Sequence, residues 1–388
     1  MTPSELTRSL KAEADRLGFT LSGCCAAVSP AGFAPLADWI EAGYAGEMDY
    51  MQTRLDAYEH PRHVMDGAVS VMMLGMNYQT QRPKPANAGQ GRIARYAWGL
   101  GDYHDLIHSR LKQLKRFAME LKNDLGQPIL ARGVVDTAPL LEREFAQLAG
   151  LGWAAKNTML INPQQGSWFF LAALLLNVPL EYDEPFSGFH CGTCTACLDA
   201  CPTNAFVEPG KLDATKCISY LTIEHRSPID RSMRTGMEDW VLGCDVCQEV
   251  CPWNRKAPLS DQEAFEPLPN HDPLDLRSLF WLTDDEFRAR FRKTPLWRPR
   301  RRGILRNAAI AMGNRPSEEN LAALERGLAD QEPLVRGASA WAIGRHSDYM
   351  PRAILMLEPQ LSAEEDVQVC EEIRLALFDL GAANGSNE

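Results

Sequence analysis

The sequence predicts an α+β protein with a two-cluster ferredoxin-like module in its middle and a helical tail, on three observations. Helical and strand patterns alternate over residues 1–180, eight of the eleven cysteines crowd between residues 191 and 251, and residues 303–380 repeat a helical phrase. With 388 residues, 45% of them hydrophobic and 23% charged, the chain is long enough for two or three domains with sizeable cores.

The chain opens on Thr2-Pro3-Ser4-Glu5, which reads as a helix start rather than a signal peptide: Thr2 as N-cap, Pro3 in the first turn, Glu5 closing a capping box. Leu6, Leu10, Ala14 and Leu17 then fall on one face of that helix, and Gly18 stops it. Short apolar runs at Phe19-Thr20-Leu21, Val69 to Met76, Ile129 to Val135 and Phe169 to Leu176 read as strands, and the proline-rich stretch Gln79 to Gly91 as a surface loop. The longest apolar stretch, Trp168 to Leu176, is far short of the roughly 20 residues that cross a bilayer, so no membrane partner and a cytoplasmic location are expected. A monomer is the expected state. The net charge of −11 argues against unspecific nucleic-acid binding by the whole surface but leaves room for a local basic patch.

The cysteines carry the strongest signal. Cys191, Cys194, Cys197 and Cys201-Pro202 follow the spacing Cys-x2-Cys-x2-Cys-x3-Cys-Pro, and Cys217, Cys244, Cys247 and Cys251-Pro252 repeat it with the first cysteine displaced upstream. Three closely spaced thiolates grip one 4Fe–4S cube, and the cysteine before proline reaches the other cube. Cys191, Cys194, Cys197 and Cys251 are thereby assigned to one cluster, and Cys201, Cys217, Cys244 and Cys247 to the second. Zinc sites favour pairs over triples, and disulfides need an oxidising compartment. Cys24, Cys25 and Cys370 fall outside the pattern and read as small buried hydrophobes.

Iron–sulfur clusters supply electrons and rarely break bonds themselves, so the chemistry belongs in the first 180 residues. No Gly-x-Gly-x-x-Gly follows a strand, which weakens a nicotinamide or flavin reading, and Gly99-Leu100-Gly101 reads as a turn. The run ending in Val135-Asp136 places a carboxylate at the carboxyl end of a strand, where open sheets bind ligands. Asp136 is a candidate acid or base there; alternatively, Asp136 or Thr137 caps the helix expected over residues 140–149. Gly152 to Thr158 and Gly166-Ser167-Trp168 are donor-bearing segments that either wrap a large cofactor or simply connect elements.

In the tail, Leu305 to Gly313 is similar to Val335 to Gly344, a period near thirty that suggests two HEAT-like helical repeats packed on the rest of the chain, or else a helical cap whose similarity is coincidental. Arg292-Lys293, Trp297, Arg298, Arg300, Arg301, Arg302 and Arg306 concentrate positive charge at its entrance, either as a solvated face or as a site that neutralises phosphates.

Taken together, Arg95-Tyr96-Ala97 with Asp102-Tyr103-His104, Val135 to Pro139, Gly152-Trp153 with Lys156-Asn157-Thr158, and Gly243 to Asn254 resemble the epoxyqueuosine reductases, cobalamin-dependent iron–sulfur enzymes of tRNA queuosine biosynthesis. The resemblance runs over nearly the whole chain. It implies a reductive-dehalogenase-like cobalamin-binding domain over residues 1–180, a ferredoxin-like domain with two 4Fe–4S clusters over 181–260, a linker and basic segment over 261–302, and HEAT-like repeats over 303–380. The implied reaction is two-electron reduction of the epoxide of epoxyqueuosine at the tRNA wobble position, with a low-potential donor such as flavodoxin or ferredoxin. Asp136 matches the aspartate regarded as proton donor, and an apolar pocket raising its pKa is expected.

The cofactor contacts so implied are Arg62, Ala97, Tyr103, His104, Asp136, Lys156, Asn157, Thr158, Ser167, Ser219, Asp245 and Gln248; the RNA contacts are His225, Arg226, Trp297, Arg298, Arg300, Arg301, Arg302 and Arg306, with Trp297 placed to stack on an unpaired base. Ala155 departs from a glycine frequent in the family. Asp102 to Ile107 is similar to the histidine signature of cobalamin mutases but lacks its glycine, so cobalt is expected without a histidine ligand, and His104 either lines the pocket or starts a helix. The rival readings are a reductive dehalogenase, a ferredoxin-type electron carrier and an RNA-binding scaffold.

Overall fold

The computed structural model describes residues 1–123 and 126–382, and its first element follows from the local chemistry of its first turn. Helix α1 (Pro3–Arg16) begins with the Thr2 side chain accepting the Glu5 amide and the Glu5 side chain accepting the Thr2 amide. Leu6, Leu10 and Ala14 are buried, and Gly18 leaves the helix at a left-handed φ of 86°. Contacts gather the described chain into two units: one of Met1–Thr80, Asp102–Ala214 and Val246–Phe265, the other of Gln81–Gly101, Thr215–Asp245 and the chain from Glu266 onward.

The first unit is built on a four-stranded antiparallel sheet in the order Leu21–Ala26, Ser70–Asn77, Phe169–Leu176, Ala131–Val134. All eight residues of Ser70–Asn77 are buried, which is why the sequence there runs apolar without alternation. One face packs Cys25, Val71, Met73, Val134, Phe145, Ala173 and Leu175 into a single core. Helix α2 (Tyr103–Glu120) and α1 pack on each other, with Ile107, Leu111, Leu114 and Ala118 of α2 buried. Helix α3 (Glu142–Leu148) contributes Phe145 and Ala146 to the core. At the outer edge of the sheet the Cys24 amide donates to an Asp183 carboxylate oxygen at 2.7 Å, the Asp183 amide donates back to the Cys24 carbonyl, and Lys11 pairs with the same carboxylate. Cys24 and Cys25 are buried, and burial pushes both thiols up to about 12. Two short helical turns, Ala196–Asp199 and Val246–Glu249, carry cysteines of the two runs and pack against each other.

The second unit has a small sheet in which Gln90–Ile93 lies between Trp240–Leu242, parallel to it, and Leu274–Asp275, antiparallel. Its tail is helical: α4 (Arg300–Asn314), α5 (Glu318–Leu328), α6 (Pro333–Gly344), α7 (Met350–Ala363) and α8 (Val367–Ala382). Alternate helices stack, α4 on α6 and α6 on α8. The two similar sequence segments occupy equivalent places in this stack. A Cβ on Gly313 would lie 2.9 Å from the Ala342 Cα, and one on Gly344 would lie 2.8 Å from the Ala376 Cα, so each glycine permits one close helix–helix approach. Among the described residues no helix is long and apolar enough to cross a membrane.

Candidate functional site

Strand Ala131–Val134 ends two residues before Asp136, whose backbone sits in the left-handed region at φ 56°. That conformation turns the chain out of the sheet. It is held there by the Glu142 side chain, which accepts the Asp136 amide at 2.8 Å. Helix α3 starts only at Glu142, without a side-chain cap, so neither Asp136 nor Thr137 caps it. The Asp136 carboxylate accepts from the Tyr103 hydroxyl at 2.6 Å and contacts His104 Nε2 at 3.1 Å. His104 lies in the first turn of α2, where the Asp102 carboxylate accepts its amide and also lies 2.6 Å from its Nδ1. His104 therefore both starts a helix and faces Asp136.

Burial pulls the His104 pKa down, but the hydrogen bonds and negative charges of Asp102 and Asp136 outweigh it and raise it from 6.5 to about 9. Burial and the charge of Asp136 raise Glu142 from 4.5 to about 8. The surroundings of Asp136 differ from the apolar pocket expected: its side chain is 57% exposed and ringed by polar partners. Beside this polar rim stands an aromatic wall, with Tyr103 stacked on Phe170 at 4.1 Å between centroids and Phe170 against Tyr78 and Phe265.

The first cysteine set comes together in the same unit. Cys191, Cys194, Cys197 and Cys251 line one cavity of about 300 Å³ with Lys156, Asn157, His190 and Trp253. Burial raises Cys197, and the neighbouring Cys251, Cys191 and Cys194 add to the rise. Four thiols around a cavity, rather than converging on a point, suit a cube; among the described residues no three His, Cys, Asp or Glu side chains form a site for a single metal ion. Of the second set, Cys201 and Cys247 belong to this unit and Cys217 and Cys244 to the other.

The segment from Lys156 to Thr158 ties these parts together. Lys156 Nζ donates to the carbonyls of Gly192 and Cys194, at 2.8 and 2.9 Å. Buried Asn157 donates to the Cys247 carbonyl at 3.1 Å, and Thr158, at φ 64°, offers its carbonyl to Arg143 of α3 at 2.6 Å. Ser167 and Gln248 are buried together: Gln248 Nε2 donates to the Ser167 carbonyl and hydroxyl, while Asn254 bridges Ser167 and the Gln248 carbonyl. Arg62 is exposed beside His60, whose Nδ1 accepts its amide. In the second unit, buried Asp245 accepts from the Arg95 amide and guanidinium, Ala97 is buried two residues on, and Ser219 lies in the helix Ile218–Ile223. Glu142, Arg143 and Asn254 carry roles that the sequence reading did not assign.

The basic segment of the second unit divides by burial. Arg306 is 1% exposed and donates to the carbonyls of Leu221, His225 and Ser227. Arg301 pairs with Asp330 at 2.7 Å. Arg298 and Arg302 are about half exposed, Arg298 pairing with Glu224 at 3.0 Å and Arg302 lying 4.0 Å from Glu332. The Arg300 guanidinium lies over the Trp297 ring at 4.3 Å. Arg226 donates to the Arg298 carbonyl, and His225 Nε2 lies 3.1 Å from the Pro228 carbonyl.

Residues 59–137 match the family model described as epoxyqueuosine reductase QueG, DUF1730, and residues 190–254 match a 4Fe–4S double cluster binding domain. An epoxyqueuosine reductase of Pseudomonas aeruginosa is 40% identical over 351 residues, covering 89% of this chain and 96% of the relative. Among solved structures, an epoxyqueuosine reductase with an epoxyqueuosine-modified tRNA-Tyr stem loop is similar at a TM-score of 0.87 and 30% identity, over 97% of this chain and 99% of that one. A Bacillus subtilis epoxyqueuosine reductase with its catalytic loop swung out of the active site is similar at a TM-score of 0.86 and 29% identity, with the same coverage of both chains.

Proposed function

The chain belongs to the epoxyqueuosine reductase family, and we propose that it reduces the epoxide of epoxyqueuosine in tRNA to queuosine, with Asp136 as the proton donor. The observation that carries this reading is a group of hydrogen bonds made by two short segments, Glu142-Arg143 and Lys156 to Thr158. Glu142 holds Asp136, its neighbour Arg143 holds Thr158, and Asn157 and Lys156 hold the backbone of Cys247 and Cys194. An acid at a strand end is thus built into the same framework as cluster-ligand cysteines.

Cys191, Cys194, Cys197 and Cys251 hold one 4Fe–4S cluster in this reading, and Cys201, Cys217, Cys244 and Cys247 the other. For cobalamin, the aromatic wall of Tyr103, Phe170 and Tyr78 beside the polar partners of Asp136 offers an apolar face and a polar edge, as a flat, amide-edged ring needs. When bound, cobalamin supplies the reducing centre and the clusters its electrons.

In the reaction, two electrons and two protons enter, carbon–oxygen bonds of the epoxide are broken, and queuosine and water leave. Asp136 delivers a proton to the epoxide oxygen as charge develops on it. Tyr103 orients the carboxyl group, and His104, charged at neutral pH, returns a proton to Asp136. In the second unit, the stacked tail helices are HEAT-like, and half-buried Arg226 with exposed Arg298, Arg300 and Arg302 meets tRNA phosphates, while Arg301 and Arg306 hold the fold beneath them. The donor is a low-potential carrier such as flavodoxin or ferredoxin, and the chain acts in the cytoplasm as a monomer.

Anaerobic reconstitution tests the whole reading: iron, sulfide and corrin absorption together, then queuosine formed from tRNA that carries epoxyqueuosine. Clusters without corrin, or no queuosine from the loaded protein, would overturn it.

A further inference from the structure

Asp136 and Thr158 are both non-glycine residues in the left-handed region, and consecutive side chains of α3 hold them: Glu142 accepts the Asp136 amide, and Arg143 donates to the Thr158 carbonyl. A left-handed aspartate is strained, and the strain is of the same order as one strong hydrogen bond. The Glu142 bond therefore acts beside that of the Thr137 amide to the Val135 carbonyl in holding the turn. We infer that Glu142 is a positioning residue, which fixes the turn that presents the Asp136 carboxyl group to Tyr103 and His104. The inference rests on the proposal that Asp136 is the proton donor.

Two features set Glu142 apart from an ordinary first-turn glutamate. Its side chain points back at a backbone amide six residues earlier, outside its own helix. Its pKa is raised to about 8, chiefly by burial, which favours the neutral acid, and a neutral acid accepts the amide without placing a further charge beside Asp136. Glutamine preserves both properties and alanine neither.

The test uses the reconstituted holoenzyme carrying E142A, E142Q or D136N, with turnover on epoxyqueuosine-tRNA and deuterium exchange of the peptide spanning residues 134–140 as readouts. E142A is expected to lower kcat at least tenfold, with KM for tRNA within about twofold, unchanged iron, sulfide and corrin content, and faster exchange in that peptide. E142Q is expected to restore both kcat and protection. E142L, which keeps the volume, replaces E142A should the latter load less cofactor. Wild-type kcat and exchange in E142A or E142L, or equal losses in E142Q, overturn the positioning role. D136N separates the two levels: undiminished turnover in it removes Asp136 from the mechanism, and the exchange result then decides Glu142 alone.

Discussion

Raising the pH past 9 should silence the Asp136 site through His104. The ring lies between two carboxylates, 2.6 Å from Asp102 and 3.1 Å from Asp136, and its pKa is raised from 6.5 to about 9. That rise corresponds to about 3 kcal/mol in favour of the charged ring. Because Asp136 is 57% exposed and water screens its part, about 2 kcal/mol is the better figure, or about thirtyfold. The folded pKa is the higher one, so this contribution is complete below the unfolded value of 6.5 and is lost as pH rises through about 9. With His104 as the proton source for Asp136, kcat/KM should decline on the alkaline side with a midpoint near 9. His104→Gln should remove that limb and cost about 2 kcal/mol of stability below pH 9, while His104 in the wild type should titrate near 9 by NMR. A midpoint near 6.5, or an identical alkaline limb in the variant, would refute the reasoning.

Asp136→Asn should retain iron, sulfide and corrin while losing about 10²–10⁴-fold in turnover, read from queuosine formed per minute. Lys156 borders the first cysteine cavity, and its two hydrogen-bond partners there are neutral carbonyls. Lys156→Met should therefore lower the midpoint potential of that cluster by about 40 mV, taking about 1 kcal/mol for the lost charge, and EPR-monitored redox titration measures it. Arg306→Ala leaves three carbonyls without their donor and should cost about 3 kcal/mol, seen as a lower Tm. Arg302→Ala should leave Tm unchanged but weaken tRNA binding and reduce its salt slope by about 1.

The parts of this protein that are legible in its sequence are those set by local rules. The capping box at Thr2 and Glu5, the unbroken apolar run of Ser70–Asn77 and the cysteine spacing each announce themselves within a few residues. Asp136 was legible as a strand-end carboxylate, but its setting was not: Tyr103 and His104 reach it from a different helix. Glu142 looks like any acidic residue in a first turn, because its partner is a backbone amide in a left-handed turn that no periodicity marks. The arginine run poses the opposite difficulty. Arg302 and Arg306 are alike in sequence, yet one is about half exposed and the other wholly buried, a distinction set by the carbonyls of Leu221 to Ser227, some eighty residues earlier in the chain.

The Asp183 pairing at the edge of the first sheet bears on how the protein avoids its own copies. A strand with unpaired amides invites another chain to add to it. Here Asp183 answers the Cys24 amide and carbonyl, and Lys11 holds Asp183 in place. The amide and carbonyl of Cys24, in the middle of the edge strand Leu21–Ala26, are thereby taken up and cannot pair with a second copy. Breaking the seal with Asp183→Ala should show as aggregation of the unloaded protein long before it shows in catalysis.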